Sequence, residues 1–298
     1  MKLGTCIYQG QAYVFIDQDT HLLLPALDHR FAIPAWQSMQ SLLEQAAAAE
    51  VDLNAPVQQA SAAMQVAHSA VTWQAPLPRP RQNIMCLGLN YLDHAEETAA
   101  HVGRSAKKPA YPIIFTKAVS SVTAHEATIP YDPDTCSQLD WEAELGVIIG
   151  RGGYKIQPEQ ALEHVFGYTV INDLSARDLQ HNHKQFFLGK SITGGCPIGP
   201  HIVSAAAISD PQALDITCRV NGVTKQAANT RQMLFHIAEI IATLSRGMAL
   251  ETGDIIATGT PSGVGFVREP PEFLQPGDVV ECEVEGVGLL RNRIGSAL

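Results

Sequence analysis

Between Trp141 and Gly150 apolar residues occupy every second position: Trp141, Ala143, Leu145, Val147 and Ile149 have one parity, Glu142 and Glu144 the other. Side chains in a strand change face at each residue, so this stretch predicts a strand with both carboxylates opposite the apolar row. Thr5 to Tyr8 and Gln11 to Ile16 flank Gln9-Gly10 and predict a hairpin, with Leu22 to Leu24 as a third strand. Further strands are predicted at Asn83 to Gly88, Pro112 to Lys117 (buried), Phe166 to Asn172 and Ile255 to Thr258. Val220-Asn221-Gly222-Val223 carries the dipeptide of a tight hairpin, and Val279 to Val284 with Val287 to Ile294 forms a terminal one.

Helical spacing appears in fewer places. Pro34 opens a stretch in which Met39, Leu42 and Leu43 recur on one face, and Ala46 to Ala49 favours helix. Helices are predicted at Pro158 to His164 and Ser175 to Leu179. The longest spans Thr230 to Ser245, where Met233, Leu234, Ile237, Ile240, Ile241 and Leu244 form one stripe. Residues 1–75 thus read as a small α+β N-terminal domain. Pro76-Leu77-Pro78-Arg79-Pro80-Arg81 marks a stiff linker over 76–82. A large β-rich unit follows over 83–298.

Composition narrows the class. Of 298 residues, 46% are hydrophobic and 17% charged, which suits a globular chain with a sizeable core. The net charge of −10, without any Lys or Arg run, argues against nucleic acid or an anionic membrane surface as partner. Six scattered cysteines without a C-x-x-C pair suit reduced thiols in the cytoplasm. No signal-peptide pattern and no membrane-length apolar run is present, so a cytoplasmic location is expected.

The chemistry gathers around the acidic strand. Carboxylates about 7 Å apart along a strand repel, and burying them unpaired is costly. Either the strand lies at an edge with a solvated polar face, or a hard divalent cation sits between the two. Asp173, at the end of an apolar strand, is either a helix-terminal acid or the third member of a three-carboxylate oxygen site. His94 and Glu97 are three apart and face one side of a helix. Gly189-Lys190-Ser191 lacks the first glycine of a phosphate loop, since Lys184 stands there. His181-Asn182-His183 has no accompanying ligands for a zinc site.

Five segments occur in one order: Gly88-Leu89-Asn90-Tyr91-x-x-His94, Glu142-x-Glu144, Asn172-Asp173 with Ala176-Arg177-Asp178, Gly189-Lys190-Ser191, and Thr258-Gly259-Thr260-Pro261-x-Gly263-Val264-Gly265. Together, over roughly residues 83–298, they resemble the fumarylacetoacetate hydrolase superfamily. The small N-terminal unit is similar to that of some bacterial members. The resemblance implies an α+β, β-rich fold around a mixed, rolled, barrel-like sheet, and a homodimer. It implies Mg²⁺ or Mn²⁺ held by Glu142, Glu144 and Asp173, with Lys190 beside a bound 2-oxo acid.

The His94–Glu97 pair would activate water from a mobile lid, Asp93 to Lys108. Lys117, Gln185 and Thr260 would contact substrate. The reaction implied is carbon–carbon cleavage of an acylpyruvate through a pyruvate enolate. Oxaloacetate decarboxylation, isomerisation or hydration of 2-oxo dienoic acids, and non-catalytic binding of a 2-oxo acid remain alternatives.

Overall fold

The computed structural model describes residues 1–24, 38–48, 65–101 and 108–296. Pro34 and the middle of the expected lid, residues 102–107, lie outside them. The chain begins with strands β1 (Lys2–Tyr8) and β2 (Gln11–Asp17), joined by Gln9 and Gly10, both with positive φ, as the hairpin predicts. Strand β3 (Leu22–Leu23), helix α1 (Met39–Ala47, capped by Ser38), and strands β4 (Gln65–Val66) and β5 (Thr72–Gln74) follow. Then come β6 (Ile84–Gly88), helix α2 (Leu92–His101), β7 (Ile113–Lys117), β8 (Val122–Thr123), β9 (Thr128–Ile129) and β10 (Leu139–Asp140).

The acidic stretch gives β11 (Ala143–Ile149), followed by β12 (Val165–Asn172), β13 (Ser175–Ala176) and two short helices, α3 (Arg177–Asn182) and α4 (Phe187–Lys190). The remainder comprises β14 (Cys196–Ser204), β15 (Asp215–Val220), β16 (Val223–Asn229), α5 (Ile237–Gly247), β17 (Ile255–Ala257), β18 (Val279–Val284) and β19 (Gly288–Ile294).

These strands form an α+β fold around a large mixed sheet in the order β4-β3-β2-β1-β14-β12-β11-β17-β6-β7, with a five-stranded sheet β16-β15-β18-β19-β9 against it. Strand β11 is central, antiparallel to β12 and to β17. That removes the solvated-edge reading of the acidic strand. Its odd-numbered residues Ala143, Leu145, Val147 and Ile149, with Trp141 just before it, enter a core shared with Ile216, Val280 and Val284 of the second sheet, while Ile148 faces a separate core. The alternation therefore places Glu142 and Glu144 on the face away from the second sheet.

The described residues among 1–75 share both sheet and core with the rest. Lys2 and Leu3 of β1 pair with Val203 and Ile202 of β14, and Leu3, Val14 and Leu42 pack with Ile84, Ile148 and Ile171. All six cysteines are buried, unbridged thiols. Among the described residues no helix is long and apolar enough to cross a membrane.

Three expected elements differ. Strand β7 is not buried: it ends the large sheet with one neighbour, leaving Ile113 and Ile114 37% and 43% exposed. The helix expected from Ser175 starts at Arg177, because Ser175 and Ala176 pair with Asp140 and Leu139. The helix expected over Thr230–Ser245 is broken. Thr230–Gln232 forms one 3₁₀ turn and α5 begins only at Ile237. Between them Asn90 captures the backbone, its Oδ1 accepting the Phe235 N–H at 2.8 Å and its Nδ2 donating to the Phe235 carbonyl at 3.0 Å.

Candidate active site

Glu142 and Glu144 reach the site from the start of β11, and Asp173 from the residue after β12. The Asp173 N–H donates to the Glu142 carbonyl at 2.8 Å, which aligns the two strand ends. One ligand oxygen from each of the three lies within 4.8 Å of the others, and all three residues are buried. Lys190 Nζ donates to Glu142 Oε2 and Asp173 Oδ2, at 2.7 Å each. Lys117 Nζ donates to Asp173 Oδ1 at 2.6 Å and to the Leu174 carbonyl at 3.0 Å.

Arg177, at the start of α3, ties this cluster to its surroundings. Its Nη2 donates to Glu142 Oε1 at 2.7 Å, its Nε to Asp140 Oδ2 at 2.9 Å, and its Nη1 to Gln180 Oε1 at 3.0 Å. Asp140 is fully buried and also accepts the N–H groups of Trp141 and Gly265, at 2.8 and 2.7 Å. Ser175 Oγ adds a bond to Glu142 Oε1 at 3.1 Å. Gly189 allows α3 and α4 to meet and so seats Lys190; a Cβ there would lie 2.6 Å from the Gln180 nitrogen.

The three carboxylates differ in what they lack. Burial alone would raise the Glu142 carboxyl, but Lys190 and Arg177 outweigh it and hold it below the usual range. Burial, and then the charges of Asp173 and Glu142, push Glu144 well up. Glu144 Oε2 accepts the Gly259 N–H at 2.8 Å, whereas its Oε1 is buried without a hydrogen-bond partner among the described residues. An orphaned carboxylate oxygen converging with two more carboxylates is a donor set that fits a hard divalent cation. Four carboxylates, Glu142, Glu144, Asp173 and Asp140, face three cations, Lys117, Lys190 and Arg177. Adding a dication leaves one positive charge, which one substrate carboxylate matches.

A cavity of about 190 Å³ opens beside the triad, lined by Glu142, Lys190, Arg177, His94, Thr98 and Thr260 among others. His94 is buried, and its Nδ1 lies 2.8 Å from Glu97 Oε1. Both Glu97 oxygens in turn face the Gly263 N–H, at 3.1 and 3.0 Å. Gly263 has φ +99°, and a Cβ there would lie 2.1 Å from the Lys225 carbonyl. An ionised Glu97 accepting from Nδ1 leaves the Nε2 lone pair of His94 free for a proton.

Residues 83–295 match the model of the fumarylacetoacetate (FAA) hydrolase C-terminal family. The chain belongs to this family. It is 48% identical over 227 residues to "Oxaloacetate tautomerase YisK" of Bacillus subtilis, covering 76% of this chain and 74% of that protein. A solved fumarylacetoacetate hydrolase from Exiguobacterium antarcticum is 38% identical with a TM-score of 0.83, covering 99% of both chains. The 2-hydroxyhepta-2,4-diene-1,7-dioate isomerase of Mycobacterium marinum is 27% identical with a TM-score of 0.74, covering 99% of this chain and 98% of that one. Members of the family are enzymes acting on 2-oxo acids, and this chain is one of them.

The structure brings His94, Glu97, Lys190, Glu142, Glu144 and Asp173 together. Thr260 lines the cavity, but its hydroxyl is engaged, donating to the Ala143 carbonyl at 2.9 Å and accepting from Gln226 Nε2 at 2.8 Å. Lys117 is fully buried behind Asp173 and does not line the cavity. Gln185 is exposed outside it. His181 lines the cavity and meets the Phe266 ring edge-on at 6.2 Å, while the acidic triad is the metal-competent cluster found among the described residues. Sequence reasoning missed Thr98, Gln180 and the holding role of Asp140. The i, i+3 spacing of Arg177 and Gln180, and the i, i+4 spacing of His94 and Thr98, was the available signal.

Proposed function

We propose that this enzyme interconverts the keto and enol forms of oxaloacetate, using a divalent cation held by Glu142, Glu144 and Asp173. The observation that carries this reading is the presence of a polarised imidazole, His94, in the same small cavity as the acidic triad. The cavity is below the 300–1,000 Å³ usual for larger ligands, which suits a substrate of few atoms. The name of the Bacillus subtilis relative supports the same substrate.

When bound, Mg²⁺ or Mn²⁺ would supply Lewis acidity toward the carboxylate and 2-oxo oxygens. The chain's own residues move the proton. His94 Nε2 takes a hydrogen from C3 as a proton, and that bonding pair becomes the C2–C3 double bond. The carbonyl π pair moves to the 2-oxo oxygen, which receives the proton from Nε2. Glu97 stabilises the imidazolium formed on the way. The Lys190 ammonium, fixed by two carboxylates, adds positive potential near the developing charge.

Hydrolysis of an acylpyruvate is the second reading, since the same dyad can activate water and the Exiguobacterium hydrolase is similar along its whole length. A homodimer goes with either reading. The exposed Ile113 and Ile114 on the last strand of the large sheet form an apolar edge that a second copy would cover.

The test compares enol-oxaloacetate, keto-oxaloacetate and acetylpyruvate with Mg²⁺, with Mn²⁺ and with chelator, following both loss of enol and release of pyruvate. Faster loss of enol without pyruvate supports the tautomerase reading. Pyruvate from acetylpyruvate moves the assignment to hydrolase, and pyruvate from oxaloacetate above the spontaneous rate moves it to decarboxylase.

A further inference from the structure

We propose that Thr98 recognises the far end of the substrate, donating a hydrogen bond from its hydroxyl to the second carboxylate of a four-carbon 2-oxo dicarboxylate. The inference rests on the reading above and names the residue that would set this class apart from 2-oxo acids with an alkyl tail. Thr98 follows His94 by four positions on α2, so the two side chains share one helix face, and both line the cavity. Its Oγ1 is shielded from water and has no hydrogen-bond partner among the described residues. A helical threonine ordinarily satisfies its hydroxyl on the carbonyl one turn back, and this one does not.

Several other polar groups of the lining are already engaged. Thr260 is held by Ala143 and Gln226, Arg177 by Asp140, Glu142 and Gln180, and Lys190 by Glu142 and Asp173. His181 lines the cavity but stands exposed to water. Much of the remaining lining is apolar, with Leu87, Leu89, Phe115 and Phe186. In such surroundings an unpaired buried hydroxyl is unfavourable, and a ligand carboxylate oxygen relieves it with a charge-assisted bond. The α2 face then divides its work along the axis: His94 acts at C3, and Thr98, one turn on, binds the carboxylate attached to C3.

The test is binding calorimetry on the Mn²⁺-loaded protein with two ligands. 3,3-Difluoro-oxaloacetate has both carboxylates and no C3 hydrogen to lose; 2-oxobutyrate has a methyl group in place of the second carboxylate. Thr98→Val is expected to weaken the difluoro ligand about tenfold, as loss of a hydrogen bond to a charged group does, and to leave 2-oxobutyrate unchanged. Thr98→Ala should behave alike, and Thr98→Ser should keep the affinity. Equal weakening of both ligands would show a merely structural role and overturn the proposal, as would undiminished binding of the difluoro ligand. Failure of the enolising reading shows separately: the wild-type protein would then bind both ligands yet exchange no C3 hydrogen of 2-oxobutyrate into D₂O.

Discussion

Glu97 holds His94 through a 2.8 Å contact at Nδ1, and Glu97 is itself held by the Gly263 N–H. The loop that carries Gly263 also gives its Gly265 N–H to Asp140, which fixes Arg177 and, through it, Glu142. The His94–Glu97 pair and the acidic triad are therefore braced by one loop, although they come from distant parts of the chain.

Replacing Glu97 with Gln should separate the dyad from the metal site. A Gln amide can donate to Nδ1, shifting the imidazole hydrogen to Nε2 and removing the base. The expected result is a fall in kcat of about 10²-fold, within the range of general acid–base contributions, with metal affinity unchanged by calorimetry. A parallel loss of metal binding would place Glu97 in the triad's support instead.

Glu144→Gln should remove metal binding and turnover together, yet stabilise the metal-free protein. The wild-type carboxylate is buried with one oxygen unpartnered and its pKa pushed well up, so a neutral amide relieves an unfavourable charge. An increase on the order of 1 kcal/mol in urea unfolding of the chelated protein is expected. A less stable chelated variant would contradict the assigned strain.

Asp140→Ala should act in the opposite direction. It strips the Arg177 guanidinium of one carboxylate and frees the N–H groups of Trp141, Gly265 and Phe266. Breaking a buried pair in this way costs about 3–5 kcal/mol, read as a lower urea midpoint.

Stability should also depend on pH through Asp254, far from the chemistry. Burial, aided by the charge of Glu251, raises its carboxyl to about 6, and its Oδ1 has no hydrogen-bond partner among the described residues. A raised carboxyl binds its proton more tightly when folded. Its contribution is therefore fully present below the unfolded value of about 4 and is lost as pH rises through 6. Asp254→Asn should flatten this fall and add about 1–2 kcal/mol above pH 7, measured by denaturant titration across pH.

The acidic triad was legible because strand alternation is a local pattern: Glu142 and Glu144 share a parity, and Asp173 closes an apolar run. Its burial was not legible, since β11 owes its central place to β12 and β17, pairings decided across the chain. The break before α5 was hidden for the same reason. The stripe from Met233 to Leu244 is continuous in sequence, and the interruption comes from Asn90, 145 positions away from Phe235. Lys190 was visible through the resemblance, but its two carboxylate partners, and the transfer of Lys117 to Asp173, needed coordinates. Thr98 carried no signal beyond its spacing from His94, because an unsatisfied hydroxyl is a property of the surroundings.

The most direct measurement is the ketonisation rate of enol-oxaloacetate, followed by its loss of absorbance, for wild type with Mn²⁺, wild type with chelator, and His94→Ala with Mn²⁺. A site in which the triad and His94 act on one substrate requires a fast rate in the first and rates near the spontaneous one in the other two, with His94→Ala still binding Mn²⁺. A chelated protein or a His94→Ala variant that ketonises as fast as wild type would contradict it.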